Sequence, residues 1–167
     1  MREIRFRGKC IEDCELKGQW LYGYYLKSAS HFIAVDQGLV DGHFKLYQVD
    51  PKTVGQYTGR KDKNGKEIYK GDIVKYVLYR GGNEIIGVVR LGVYEQDGSG
   101  GEYGPTKCLG FYIERIKTIP DDWAIKYGWK PNEPEYEKTI SLLEPKWVEV
   151  IGNEFENPEL LKGEEMA

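Results

Sequence analysis

Residues 53–75 read TVGQYTGRKDKNGKEIYKGDIVK, and no other stretch restricts the fold as tightly. Asn64-Gly65 lies between two runs of β-type residues, and Asn and Gly both tolerate the positive φ that tight hairpin turns require. The spacing predicts a hairpin joining strands around residues 56–58 and 67–69. Gly71-Asp72 predicts a second turn, in which the Asp72 carboxylate accepts backbone N–H bonds. A further strand then leaves over residues 73–79. Asp62 also stands where turns use Asp to satisfy their own amides.

The same period-two reasoning extends along the chain. Ile4-Arg5-Phe6-Arg7 alternates apolar and basic residues, which predicts a half-buried strand with Ile4 and Phe6 inward and Arg5 and Arg7 toward water. After a polar loop over residues 12–19, Trp20, Tyr22, Tyr24 and Leu26 share one face of a strand that pairs with the first. Residues 31–36 and 44–50 supply two more β-rich runs, joined through Gly38 and Asp41-Gly42, to complete an antiparallel meander. Strands are also predicted at 84–91, 109–117 and 147–151, with a glycine-rich loop over 98–104. Helical signals are confined to a turn or two from Trp123, capped by Asp121 or Asp122 and ended by Gly128 and Pro131, and to Asn157-Pro158-Glu159-Leu160-Leu161, a terminal turn docking two leucines. Composition agrees: the 167 residues include 21 Gly and 13 Tyr, a balance that favours strands and tight turns.

Charge and cysteine content exclude several classes. The 24 Lys and Arg against 27 Asp and Glu leave a net charge of −3, which is unlike a polycation that coats nucleic acid. Local distribution matters more. Residues 131–167 hold ten Glu and three Lys, so the rest of the chain is net basic. No apolar run approaches the roughly 18 residues of a membrane span, and the first residues lead straight into a strand pattern rather than a signal peptide. Three cysteines, Cys10, Cys14 and Cys108, are an odd number in a chain long enough to hold itself together with a core. The expectation is a cytoplasmic protein with reduced thiols, no disulfide framework and no membrane association.

Catalytic and cofactor motifs fail on spacing. Gly59 and Gly65-Lys66 have five intervening residues where a phosphate loop needs four, and Glu67 replaces the magnesium-binding hydroxyl. Residues 60–71 overlay a calcium loop, but Arg60 and Gly71 occupy its first and last ligand positions. Gly98-Ser99-Gly100 places Tyr103 where a dinucleotide fingerprint needs glycine. Cys10 and Cys14 with His31 and His43 match no zinc-module spacing, and no third group orients a Cys/His pair. The sequence therefore implies no metal, no cofactor and no catalytic residue, and a chain that folds without metal.

Residues 53–75, together with Phe6-Arg7-Gly8-Lys9, Trp20-Leu21-Tyr22-Gly23, Val148-Glu149-Val150-Ile151-Gly152-Asn153 and Asn157-Pro158-Glu159-Leu160-Leu161, resemble the YopX-like phage and prophage protein family. The resemblance spans most of the chain, in order. It implies a small protein encoded by phages of Firmicutes and related bacteria, a β-rich fold whose second half is similar to an SH3-like barrel, and no established biochemical activity or catalytic residues. The expected architecture is mainly β with short helices, α+β being the alternative. It comprises an antiparallel β subdomain over 1–58, an SH3-like small barrel over 59–155 with an inserted loop and short helix at about 92–145, and a helical turn with an acidic tail over 156–167.

The leading functional reading is a non-enzymatic binding or adaptor module whose partner is an unknown host or phage protein, with a homo-oligomer left open. The alternative is a nucleic-acid binder. The hairpin over residues 59–75 carries six basic residues against three acids, and small barrels bind through one sheet face and its loops. On that reading Arg60, Lys61, Lys63 and Lys66 contact phosphates while Tyr57 and Tyr69, with Tyr76, offer stacking surface. The competing structural role is that the tyrosines pack and the lysines keep an edge soluble. A small-molecule enzyme with a site assembled from distant residues is the third reading.

Overall fold

A computed structural model of the chain describes residues 3–36, 38, 43–77, 83–96, 104–120, 125–128, 139–142 and 145–162. The strands form two antiparallel sheets, and the chain divides into two compact units, Met1–Gly59 and Arg60–Ala167. The division lies one residue beyond the 58/59 boundary read from the sequence.

In the first unit, β1 (Phe6–Lys9), β2 (Trp20–Lys27), β3 (His31–Asp36), β4 (Phe44–Gln48) and β5 (Gly55–Lys61) are ordered β4-β3-β2-β1-β5. The meander is as expected. One face buries Cys10, Leu21, Ile33, Tyr47 and Val49, with Phe6, Tyr25 and Val35 packed against them. Gly23 pairs with Phe6, and a Cβ on it would lie 2.0 Å from the Ala34 carbonyl oxygen, so only glycine fits there. Phe6 packs inward as alternation predicts, but Ile4 and Arg7 do not follow it. Ile4 is exposed, whereas Arg7 is buried, its guanidinium 4.7 Å from the centre of the Trp20 ring. A flat cation on an indole face can be enclosed because the ring supplies both apolar cover and electrostatic attraction.

The second unit contains β6 (Glu67–Tyr69), β7 (Asp72–Val77), β8 (Glu84–Gln96), β9 (Thr106–Ile119), β10 (Thr139–Ser141) and β11 (Val148–Asn153), and its five-stranded sheet is ordered β10-β9-β8-β7-β11. Its two outer strands are not paired with each other among the described residues, so the sheet stays open and no barrel closes. The SH3-like barrel expected over 59–155 is corrected accordingly. Burial explains why the sheet needs no closure. Ile68, Val74, Val89, Ile113, Leu142, Val148 and Val150 form one cluster. Ile73, Ile86 and Val88 form another, covered by Ile151, Leu160 and Leu161. Adjacent residues Ile73 and Val74 are both fully buried, which on a strand means that both faces are covered.

The region expected as an insertion at 92–145 is in part a continuation of the sheet. β8 and β9 stay paired out to Gln96↔Thr106, well past the predicted strand ends, and residues 97–103 of the glycine-rich loop lie outside the described residues. Trp123 and its capping acids lie outside them too, although the helical turn at residues 125–126 is seen to end at Gly128, with φ +72°. The terminal turn forms as a 3-10 helix over Pro158–Leu161. Asn157 does not cap it, because its Oδ1 accepts instead from the Asn153 N–H at 3.3 Å. The acidic end of the chain, residues 163–167, is outside the described residues.

Candidate functional site

The hairpin forms where expected, by a different turn. The Asp62 N–H donates to the Lys66 carbonyl at 2.7 Å and the Gly65 N–H to the Asp62 carbonyl at 3.0 Å. Gly65 has φ +84°, while Asn64 is not at positive φ. This is a three-residue loop, a type I turn followed by a left-handed glycine, rather than a two-residue Asn-Gly turn. The Asp62 side chain decides between them. Its Oδ1 accepts from the Asn64 N–H at 2.8 Å and the Lys66 N–H at 2.9 Å, and its Oδ2 accepts from the Val150 N–H at 3.0 Å. Burial pushes the Asp62 carboxyl up, but the Val150, Lys66 and Asn64 amides outweigh it and hold it below the ordinary carboxylate range,. Asp72, also buried, accepts from the Tyr69 N–H at 2.7 Å. Both carboxylates are engaged by backbone.

The proposed phosphate-binding residues divide. Arg60, Lys61, Lys63 and Lys66 are exposed, but Lys63 sits 2.7 Å from the Glu149 carboxylate. That ammonium, with a smaller contribution from Lys75, holds the Glu149 carboxyl below its ordinary range. The tyrosines are corrected. Tyr57 is 7% and Tyr69 2% exposed, so neither ring offers a face on which a base could stack. The adjacent residues Thr58 and Ile68 are buried as well, so both sides of these strands are covered there and the two rings are enclosed in packing. Tyr76 is half-buried and packs against the core of the second unit.

The structure joins part of the β2 face expected from period two, Tyr22, Tyr24 and Leu26, to Phe44 and Leu46 of β4, which the sequence does not place with them. Tyr22, Tyr24 and Leu26 on β2 face outward, as do Phe44 and Leu46 on β4. Tyr24↔Ala34 and Ala34↔Leu46 pair directly across the sheet, which puts all five side chains on one side of three adjacent strands. The Tyr24 and Phe44 rings meet edge to face with centroids 5.6 Å apart. Each of the five is close to half exposed, at 48–51%. Alternation alone could not identify this side as the wet one, because the aromatic side of β2 looks more like a core than the Leu21 side does.

Potential ligands also move. Of the four residues tested for zinc, Cys10 and Cys14 come together, and Glu12 joins them. The His31 Nδ1 instead pairs with the Tyr25 hydroxyl. Burial pushes the Cys10 thiol up, and the neighbouring Cys14 adds to the shift. Among the described residues no helix is long and apolar enough to cross a membrane. Compared with known proteins, the chain is matched over residues 5–162 by the family model described as YopX protein. No curated protein matches it.

Proposed function

We propose that the chain, which belongs to the YopX protein family, is a non-enzymatic binding module that docks a partner protein in the cytoplasm of a phage-infected or lysogenic bacterium. The observation that carries this reading is the outward face of β2–β4, where Tyr22, Tyr24, Leu26, Phe44 and Leu46 stand exposed together. A contiguous apolar patch of aromatic and aliphatic side chains marks an interaction surface. Its chemistry favours protein over nucleic acid, since none of these five side chains carries the positive charge that phosphate binding requires. The partner therefore presents a complementary apolar surface. Tyrosine and phenylalanine supply large contact area with few rotatable bonds to order.

The experiment is an affinity purification from host lysate with and without nuclease, comparing the wild-type chain with a Tyr24→Ser/Leu46→Ser variant. A protein retained in stoichiometric amount by the first and lost by the second supports the reading. Identical retention by both, or partners that vanish on nuclease treatment, overturns it. Loss accompanied by dissociation of a homo-oligomer, read by light scattering, identifies the partner as a second copy of the chain.

The nucleic-acid reading retains one supporting observation, the exposed cations Arg60, Lys61 and Lys66 around a single hairpin. The rings expected to stack beside them, Tyr57 and Tyr69, are buried, which counts against single-strand recognition at this hairpin.

A further inference from the structure

The loop after β1 carries chemistry that the aromatic face does not use. Cys10 bridges Val49, donates its N–H to the Gln19 carbonyl at 2.9 Å and accepts at its own carbonyl from the Gly18 N–H at 2.8 Å. The next residue, Ile11, donates to the Gln48 carbonyl at 3.0 Å, and further on Cys14 donates to the Glu12 carbonyl at 2.9 Å and accepts from the Lys17 N–H at 3.0 Å. The segment is thus pinned to backbone at both ends. In this arrangement the two Sγ atoms and a Glu12 carboxylate oxygen all lie within 4.8 Å of one another. Tetrahedral zinc holds sulfur at about 2.3 Å and carboxylate oxygen at about 2.1 Å, which sets ligand-to-ligand edges of about 3.8 Å and 3.6 Å. The three donors need to close by no more than about 1.2 Å to reach that geometry.

We propose that Cys10, Glu12 and Cys14 form a binding site for a divalent cation of the zinc class, held by two thiolates and one carboxylate with the fourth position open to solvent. The donor set selects the ion. Calcium and magnesium take oxygen ligands alone, and copper(I) prefers soft sulfur without a carboxylate. Two thiolates and a carboxylate around a divalent ion leave one surplus negative charge, and Lys45 is placed to offset it. A hydrogen bond with Tyr47 is the main reason its ammonium is held above the usual range, and the charges of Cys14 and Glu12 add to it. Lys45 therefore lies within the electrostatic reach of the same donors. On loading, each S–H bond is replaced by a sulfur–metal bond, and two protons pass to buffer.

The test uses the full chain, kept reduced with a phosphine and titrated with cobalt(II). The expected result is one ion per chain, with thiolate-to-cobalt charge transfer in the near ultraviolet, tetrahedral bands in the visible, and displacement by equimolar zinc. Cys14 is exposed, so Cys14→Ser should keep the fold of the metal-free protein. It should lose about half of the charge-transfer intensity and bind at least about tenfold more weakly. Glu12→Gln should weaken binding while keeping both thiolate transitions. An octahedral spectrum without charge transfer overturns the site. So does an unchanged spectrum and affinity in Cys14→Ser, which would place the ion elsewhere, for instance on Cys108.

Discussion

Replacing Asp62 should destabilise the second unit far more than loss of an ordinary turn residue would, because one carboxylate joins residues 88 apart in sequence. Asp62→Ala removes the acceptor for three amides. The Val150 N–H bond is buried, and a buried donor left without a partner costs about 1–3 kcal/mol. The Asn64 and Lys66 amides belong to exposed residues, where water replaces the carboxylate at about 0.5–1 kcal/mol each. The sum is about 2–5 kcal/mol, a large share of the 5–15 kcal/mol or so that stabilises a typical domain. Asp62→Asn keeps one acceptor oxygen and should cost about half as much. Urea denaturation followed by tryptophan fluorescence would show the midpoint falling while the slope stays constant. Because the folded carboxyl lies below its ordinary value, its contribution is complete above the unfolded pKa of about 3.9 and fades as pH drops through the lower folded value. The gap between wild type and Asp62→Asn should accordingly narrow below about pH 4. An Asp62→Ala protein within about 0.5 kcal/mol of wild type at pH 7, or a gap that persists unchanged to about pH 2, would refute the reasoning.

Two glycines should respond differently to substitution. Gly65→Val meets no neighbour within 4 Å but must hold φ +84°, and should cost about 1–2 kcal/mol from backbone strain alone. Gly23→Ala drives a Cβ to 2.0 Å from the Ala34 carbonyl oxygen and should cost about 3 kcal/mol or more; thermal melts of the pair would reverse in order if close approach did not govern β2. The Arg90 guanidinium binds Glu114 at 2.8 Å and Glu154 at 2.7 Å, so Arg90→Met should lose about 1–2 kcal/mol, allowing for partial exposure, with a shift under about 0.3 kcal/mol counting against it. If the basic hairpin binds DNA or RNA, the double change Arg60→Ala/Lys61→Ala should lower the salt slope of binding by about 0.7–0.9 for each phosphate no longer neutralised. Failure of the wild-type chain to bind at about 20 mM salt, where the Debye length is about 20 Å, would end that reading.

Local chemistry in the sequence was enough to place most of the strands, the meander and the turns at Gly65 and Gly71, but not β10 at Thr139–Ser141 or the outer reach of β8 and β9. Backbone constraints act over a few residues, and side chains such as those of Asp62 and Asp72 satisfy amides close to themselves in the chain. It also indicated that Leu160 and Leu161 pack, since two adjacent leucines in a terminal turn need a surface to cover. Tertiary structure alone decided which side of each strand is buried. Tyr57 and Tyr69 go inside while Tyr22 and Tyr24 remain outside, although all four alternate in the same way, because period two separates the sides of a strand without saying which side another layer will cover. The open sheet, the burial of Arg7 against Trp20 and the bond from Val150 to Asp62 are likewise long-range results. The Cys10, Glu12 and Cys14 cluster lies between these cases. Its alternate spacing is visible in the sequence, but its three ligand atoms converge because the flanking backbone is tied to Gln19 and Gln48, and that closure belongs to the fold.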